Sequence, residues 1–125
     1  MIHHRKLIQS FRYAWDGVVY SLRENQNLRV HFLVALIVAI ASVLLGVSHF
    51  EMGILGVMIL LVVAAEMINS AIEEMVDLIT KEHREEAKIA KDVAAGMVLV
   101  VAAGSVVVGI IIFTPYVFRL WGIYL

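Results

Sequence analysis

Three stretches, 30–48, 52–77 and 93–114, dominate this sequence as candidate membrane helices, the second staying apolar to Ala65 and continuing with Met67, Ile68, Ala71 and Ile72. Each reaches or approaches the roughly 20 residues that an α-helix needs to cross a bilayer. The whole chain is 125 residues long, room for one domain at most. With 62% hydrophobic and only 17% charged residues, so short a chain cannot hide its apolar surface from water in a single core. A soluble globular enzyme and a disordered chain are therefore both excluded. So is a membrane barrel, because the runs lack period-2 alternation and barrels need at least about 8 strands. The expectation is an all-α integral membrane domain over 1–125, with three transmembrane helices and a cytoplasmic loop at 78–92.

The basic residues set an expected orientation. Arg5, Lys6, Arg12, Arg23 and Arg29 precede the first stretch, and Lys81, Arg84, Lys88 and Lys91 follow the second. The connection 49–51 has none and the tail has Arg119 alone. By the positive-inside rule the N-terminus and 78–92 are cytoplasmic and the C-terminus is outside. No apolar stretch of signal-peptide length precedes Val30, so no cleaved export signal is expected. A net charge of −1 argues against a nucleic-acid partner. The absence of cysteine removes disulfide and thiolate chemistry.

Residues 1–29 have the pattern of an amphipathic helix. Leu7, Phe11, Ala14, Trp15, Val18 and Leu22 share one face, and Arg5, Arg12, Asp16 and Arg23 lie opposite. This suits a helix in the headgroup plane anchored by Tyr13 and Trp15; the alternative is a soluble cap packed on the bundle. Glu24-Asn25-Gln26-Asn27 marks a bend before the first span. In the third span Ala95, Ala102 and Gly109 recur every seven residues, a small-residue seam for close helix packing, either within one protomer or between copies. Pro115 is expected to end or kink that helix.

The chemistry concentrates in Glu66-Met67-Ile68-Asn69-Ser70-Ala71-Ile72-Glu73-Glu74-Met75-Val76-Asp77. At about 100° per residue, Glu66, Asn69, Glu73 and Asp77 fall within an arc of roughly 80°, while Glu74 points off that face. If the second span begins near Met52, about 20 residues bring its boundary near Ile72. Glu66 then lies roughly 9 Å inside, at 1.5 Å per residue. Ionisable groups at such depth are costly and mark functional sites. Downstream, Lys91 and Asp92 add a cation beside the carboxylates, a combination suited to a metal-bound phosphate. The P-loop and protein-kinase signatures are absent, so any use of ATP is by an unrelated route.

The pattern Glu66-x-x-Asn69-Ser70-Ala71-x-Glu73-x-x-x-Asp77, followed by Ala90-Lys91-Asp92, resembles the prokaryotic diacylglycerol kinase family of small membrane lipid kinases. Asn27-Leu28-Arg29-Val30-His31, the stretch from Ala87 to Gly96, and Gly109-x-x-x-Phe113-x-Pro115 resemble its Gram-positive branch, whose members phosphorylate undecaprenol. The resemblance implies a multi-pass protein of the bacterial cytoplasmic membrane. It also implies a homotrimer with sites shared between protomers, ATP as co-substrate and Mg²⁺ as cofactor. It makes Glu66 the catalytic base and Glu73 a carboxylate on the ATP-bound metal. Asn69 and Asp77 match polar residues of the same site. Glu82, His83 and Arg84 match a nucleotide-contacting loop, and Lys91 and Asp92 the phosphate-side pair. Tyr13 matches a nucleotide-side residue on the surface helix, and Lys6 stands where the family has a basic residue. Arg29 matches the family's Arg, four residues before which the family has a second metal-binding Glu. Here that position is Asn25, and Glu24 stands one residue earlier. Either Glu24 reaches the metal around the bend or Asn25 substitutes for it. The surface helix with Glu24 and Asn25 is the piece expected to come from a neighbouring protomer.

Depth and resemblance point the same way: a lipid hydroxyl at the headgroup boundary meets ATP at the cytoplasmic end of the second span. Undecaprenol is the expected acceptor and diacylglycerol the alternative, since both present a hydroxyl at that depth. A small ion-coupled transporter is a more distant alternative, disfavoured because the polar face runs out of the membrane and no internal repeat is present. The other is a non-catalytic membrane scaffold.

Overall fold

The computed structural model describes residues 4–123, so the first three residues of the expected surface helix lie outside it. Four helices follow one another: α1 His4–Glu24, α2 Gln26–Leu44, α3 His49–Ile79 and α4 Glu85–Leu120. Among the described residues there is no strand. α2, α3 and α4 are each long and apolar enough to cross a membrane, and the chain is a multi-pass membrane protein.

The α1–α2 bend is a single residue. Asn25 adopts extended backbone angles, and its side-chain oxygen accepts from the Leu28 N–H, the usual way a helix N-terminus gains a partner for an orphan donor. Arg29 secures the other side of the bend: its Nη1 donates to the Arg23 carbonyl at 2.6 Å, a cation on the C-terminal carbonyls of α1. From Lys6 to Gly17 α1 is exposed throughout. Leu7, Phe11 and Trp15 thus keep more than half of their surface exposed, as suits an interfacial helix rather than a cap seated on its own bundle.

Helix ends differ from the apolar stretches, for local reasons. The first stretch continues to Ser48, but α2 stops at Leu44. Gly46 takes φ +66°, and the Val47 N–H bonds the Ser42 carbonyl, a glycine-terminated helix end. Ser48 and Glu51 then form a reciprocal capping box that starts α3, so His49–Glu51 are helix and not connection. At the other end the connection is Thr80–Arg84, between Ile79 and Glu85, shorter than the expected 78–92. Lys88, Lys91 and Asp92 therefore ride on α4. Pro115 lies within α4 and does not end it. The stop is Gly122 at φ +70°, where the Ile123 N–H bonds the Phe118 carbonyl.

α3 packs chiefly on α4 and then on α2. Leu28, Val62, Ala65 and Ala94 are buried, and Val47, Leu55 and Ile112 form a buried apolar cluster at the end away from the acids. There Tyr116 of α4 donates to Glu51 of α3. At Gly109 of the small-residue seam, an added Cβ would meet nothing within 4 Å, so the helix makes no close approach at that position within the protomer. Gly46→Ala should lower stability by about 1–2 kcal/mol, the cost of a left-handed non-glycine residue. Space for the methyl is open, so thermal unfolding in detergent reads the backbone term alone; an unchanged melting temperature would refute this account of the turn.

Candidate functional site

α3 carries its acids out of the protein along one face. Glu66 is 2% exposed and Asn69 7%, whereas Glu73, Glu74 and Asp77 are exposed. The face itself follows from helical period; what each residue meets depends on the neighbouring helices.

Glu66 is met by α2. Asn25 Nδ2 donates to Glu66 Oε2 at 3.0 Å and to Ser70 Oγ at 2.8 Å. His31 Nε2 stands 3.2 Å from Glu66 Oε1. A buried charge needs such partners, because isolated in low dielectric it is very costly. Asn25 and His31 are therefore neighbours of the candidate base, and the sequence reading gave neither of them that place. The available signal was their common helix: an N-cap residue and a histidine six positions later.

One turn outward, Asn69 Nδ2 donates to Glu73 Oε1 at 3.1 Å, while Asn69 Oδ1 is buried without a hydrogen-bond partner. Glu73 lines a cleft of about 240 Å³ between the α1–α2 bend and α3, with Glu24, Asn25, Asn69, Ser70 and Glu74 around it. Tyr20 closes its edge by donating to Glu74 Oε1 at 3.2 Å, and the Glu74 carboxylate holds the Tyr20 hydroxyl above its ordinary pKa. Among the described residues no three His, Cys, Asp or Glu side chains come close enough to form a closed metal site.

A second cleft, of about 480 Å³, sits at the α3–α4 connection and is lined by Asp77, Glu82, His83, Arg84, Lys91 and Asp92 among others. Lys91 Nζ lies 2.6 Å from Asp77 Oδ1, which ties α4 to α3. Arg84 forks onto Glu82 at 3.0 and 3.2 Å, and Lys88 reaches Asp92 at 4.0 Å. These pairs are exposed and contribute little stability; they place cations and carboxylates around an open, polar space.

The expected site residues thus fall into three groups. Glu24, Asn69 and Glu73 share the first cleft, with Glu66 beneath it. Asp77, Glu82, His83, Arg84, Lys91 and Asp92 share the second. Lys6 and Tyr13 line neither: both are exposed on the N-terminal half of α1. Arg29 caps α1 instead of lining a cleft. The sequence reading expected the helix bearing Glu24 and Asn25 to serve a neighbour's site. Here Asn25 joins the Glu66 of its own protomer, because the one-residue bend folds α1 back beside α3.

Comparison with known proteins gives the same frame. The family described as "Prokaryotic diacylglycerol kinase" matches residues 12–113. A "Diacylglycerol kinase" of Synechocystis sp. is 41% identical over 82% of this chain and 59% of its own length. An "Undecaprenol kinase" of Bacillus subtilis is 38% identical over 88% of this chain and 89% of its own. A "Diacylglycerol kinase" of Sinorhizobium sp. is 37% identical over 69% of this chain and 65% of its own. The chain thus spans less than two thirds of the length of two of these relatives and most of the third. A match across most of the chain, joined to three spanning helices with a buried carboxylate at the edge of a polar cleft, assigns the family: the chain belongs to the prokaryotic diacylglycerol kinase family.

Proposed function

We propose that this lipid kinase moves the γ-phosphoryl group of ATP onto the hydroxyl of a membrane lipid alcohol, undecaprenol in preference to diacylglycerol. The observation that carries the reading is Glu66: a carboxylate 2% exposed, at the membrane side of a face whose next acids stand in the open. A lipid hydroxyl at that level loses its proton to Glu66 as its oxygen attacks the γ-phosphorus, and ADP leaves with the bridging oxygen. Lys91 supplies fixed positive charge toward the phosphates. Glu82, His83 and Arg84 flank the nucleotide, and Asp77 holds Lys91 in place. The site end faces the cytoplasm, which the placement of nine of the ten Lys and Arg supports.

The residues fit a hard divalent cation. Asn69 Oδ1 is a buried acceptor with no partner, and it lies with the Glu73 and Glu24 carboxylates at one cleft. Magnesium takes oxygen ligands, with one or two carboxylates and the remainder from phosphates and water. Glu73, Asn69 and Glu24 would hold it, and it would neutralise charge on the triphosphate.

The preference for undecaprenol is supported by the Bacillus subtilis relative, aligned over nearly the full length of both chains; the Synechocystis relative supports diacylglycerol. The deciding experiment presents both lipids in one detergent. Undecaprenol should give the higher kcat/KM, and a higher value for diacylglycerol would reverse the assignment. In sealed vesicles, ATP added outside should support the reaction only when the membrane is inverted.

The active unit is a homo-oligomer, a trimer, in which the N-terminal half of α1 serves a neighbour's site. Lys6 and Tyr13 line neither cleft of their own protomer, and the apolar face of α1 is uncovered. Mixing an inactive Glu66→Gln protein with an inactive Lys6→Ala/Tyr13→Ala protein should regenerate intact sites and measurable turnover. A mixture as inactive as its parts would overturn the sharing.

A further inference from the structure

We propose that Asn25 and His31 are positioning residues that clamp the Glu66 carboxylate, one on each oxygen, from the start of α2. The inference rests on the reading of Glu66 as the base.

Asn25 does two jobs that fix its amide. Its Oδ1 is taken by the Leu28 N–H at 3.0 Å, as the cap of α2. A side-chain amide has one oxygen and one nitrogen, so the group turned toward α3 must be Nδ2, a donor. That donor reaches Glu66 Oε2 at 3.0 Å. Capping α2 and aiming the base are therefore one geometry: the cap dictates which end of the amide Glu66 meets.

His31 takes the other oxygen, its Nε2 3.2 Å from Glu66 Oε1. Away from Glu66, the imidazole lines a largely apolar groove with Val34, Val38, Met58, Val62 and Ser105. A positioning contact needs only a polar atom held firmly against the carboxylate, and packing among these neighbours supplies that. The His31→Gln variant separates this role from a proton relay.

A base on a long, rotatable glutamate side chain gains from such a hold. Misplacement of a reacting group by about 1 Å can cost on the order of 100-fold in rate. With one oxygen on Asn25 and the other beside His31, the carboxylate plane is set by α2 and not by the free rotation of its own side chain. Both contacts come from the first two turns of one helix, so a shift of α2 against α3 would move them together.

The test separates capping from donating. Asn25→Ser keeps a good N-cap but is too short to reach Glu66 and adds no charge to the cleft. Its thermal unfolding in detergent should stay near that of the parent, while kcat falls about 10- to 100-fold, the worth of a hydrogen bond to a charged group. KM for Mg·ATP should change little, because the contact acts on the base and not on the nucleotide. Should Asn25→Ser fail to fold, Asn25→Thr also caps, also removes the amide donor, and carries the same expectation. His31→Leu should lose a similar factor in kcat, and His31→Gln, which returns a polar nitrogen to the same place without a titratable ring, should recover most of it. Parent-like or higher kcat in Asn25→Ser, or a His31→Gln as slow as His31→Leu, would overturn the clamp; the second result would make the imidazole a proton carrier. Glu66→Gln, assayed alongside, keeps the two readings apart. If it is inactive while the α2 variants turn over normally, the clamp alone fails; if it is active, the base assignment fails and the clamp with it.

Discussion

Glu66→Gln should reduce kcat by about 100- to 10 000-fold, the usual worth of a positioned general base. The substitution changes one atom of a side chain that is 2% exposed, so shape is preserved. What is lost is the capacity to take a proton at the membrane end of the acidic face. KM for Mg·ATP should stay near the parent value, because the nucleotide-facing groups lie further out, on Glu73 and beyond. Thermal unfolding should not drop sharply either: a neutral amide in place of a buried carboxylate removes a desolvation cost along with its partners' attraction. Steady-state kinetics with a saturating lipid alcohol gives the answer, and kcat close to the parent would remove Glu66 from the role of base.

Glu73→Ala should raise the Mg²⁺ and Mg·ATP concentrations needed for half-maximal rate by about 10- to 100-fold, the scale on which losing one group around a bound metal acts. Excess Mg²⁺ should recover part of the rate, which a lost base would not allow. The structural cost is small, because Glu73 is exposed and its one side-chain partner, Asn69 Nδ2, keeps access to the cleft. Glu24→Ala should move the metal dependence in the same direction by less, since Glu24 lines the cleft while Asn69 Nδ2 is hydrogen-bonded to Glu73. A Mg²⁺ titration of the two variants beside the parent decides this, and an unchanged dependence in Glu73→Ala would refute its place at the metal.

The broad architecture was legible because its causes are local. Apolar length alone announces three spans, and helical period puts Glu66, Asn69, Glu73 and Asp77 on one face whatever surrounds them. Helix ends were misplaced by several residues although their signals are also local. Hydropathy counts Leu45–Ser48 as membrane, while Gly46 and the Ser48–Glu51 pair end one helix and begin the next through backbone hydrogen bonds that hydropathy does not weigh. Pro115 does not end its helix: α4, with 36 residues of ladder, continues past one missing N–H.

By itself, then, the sequence determined that the chain lives in a membrane, that its acids descend one face of the second span, and that Glu66 is the deep one. Only the tertiary structure decided what those acids meet. Asn25 is 41 residues from Glu66 and Lys91 is 14 from Asp77, and no periodicity relates such pairs. Their meeting depends on how α2 and α4 lean on α3, which is set by side-chain packing along whole helices. The same leaning divides the expected site into two clefts and leaves Lys6 and Tyr13 outside both. It also turns Asn25, read from sequence as one of two candidates for a metal-ligand position, into a donor on Glu66, because capping α2 leaves only its nitrogen to face that carboxylate.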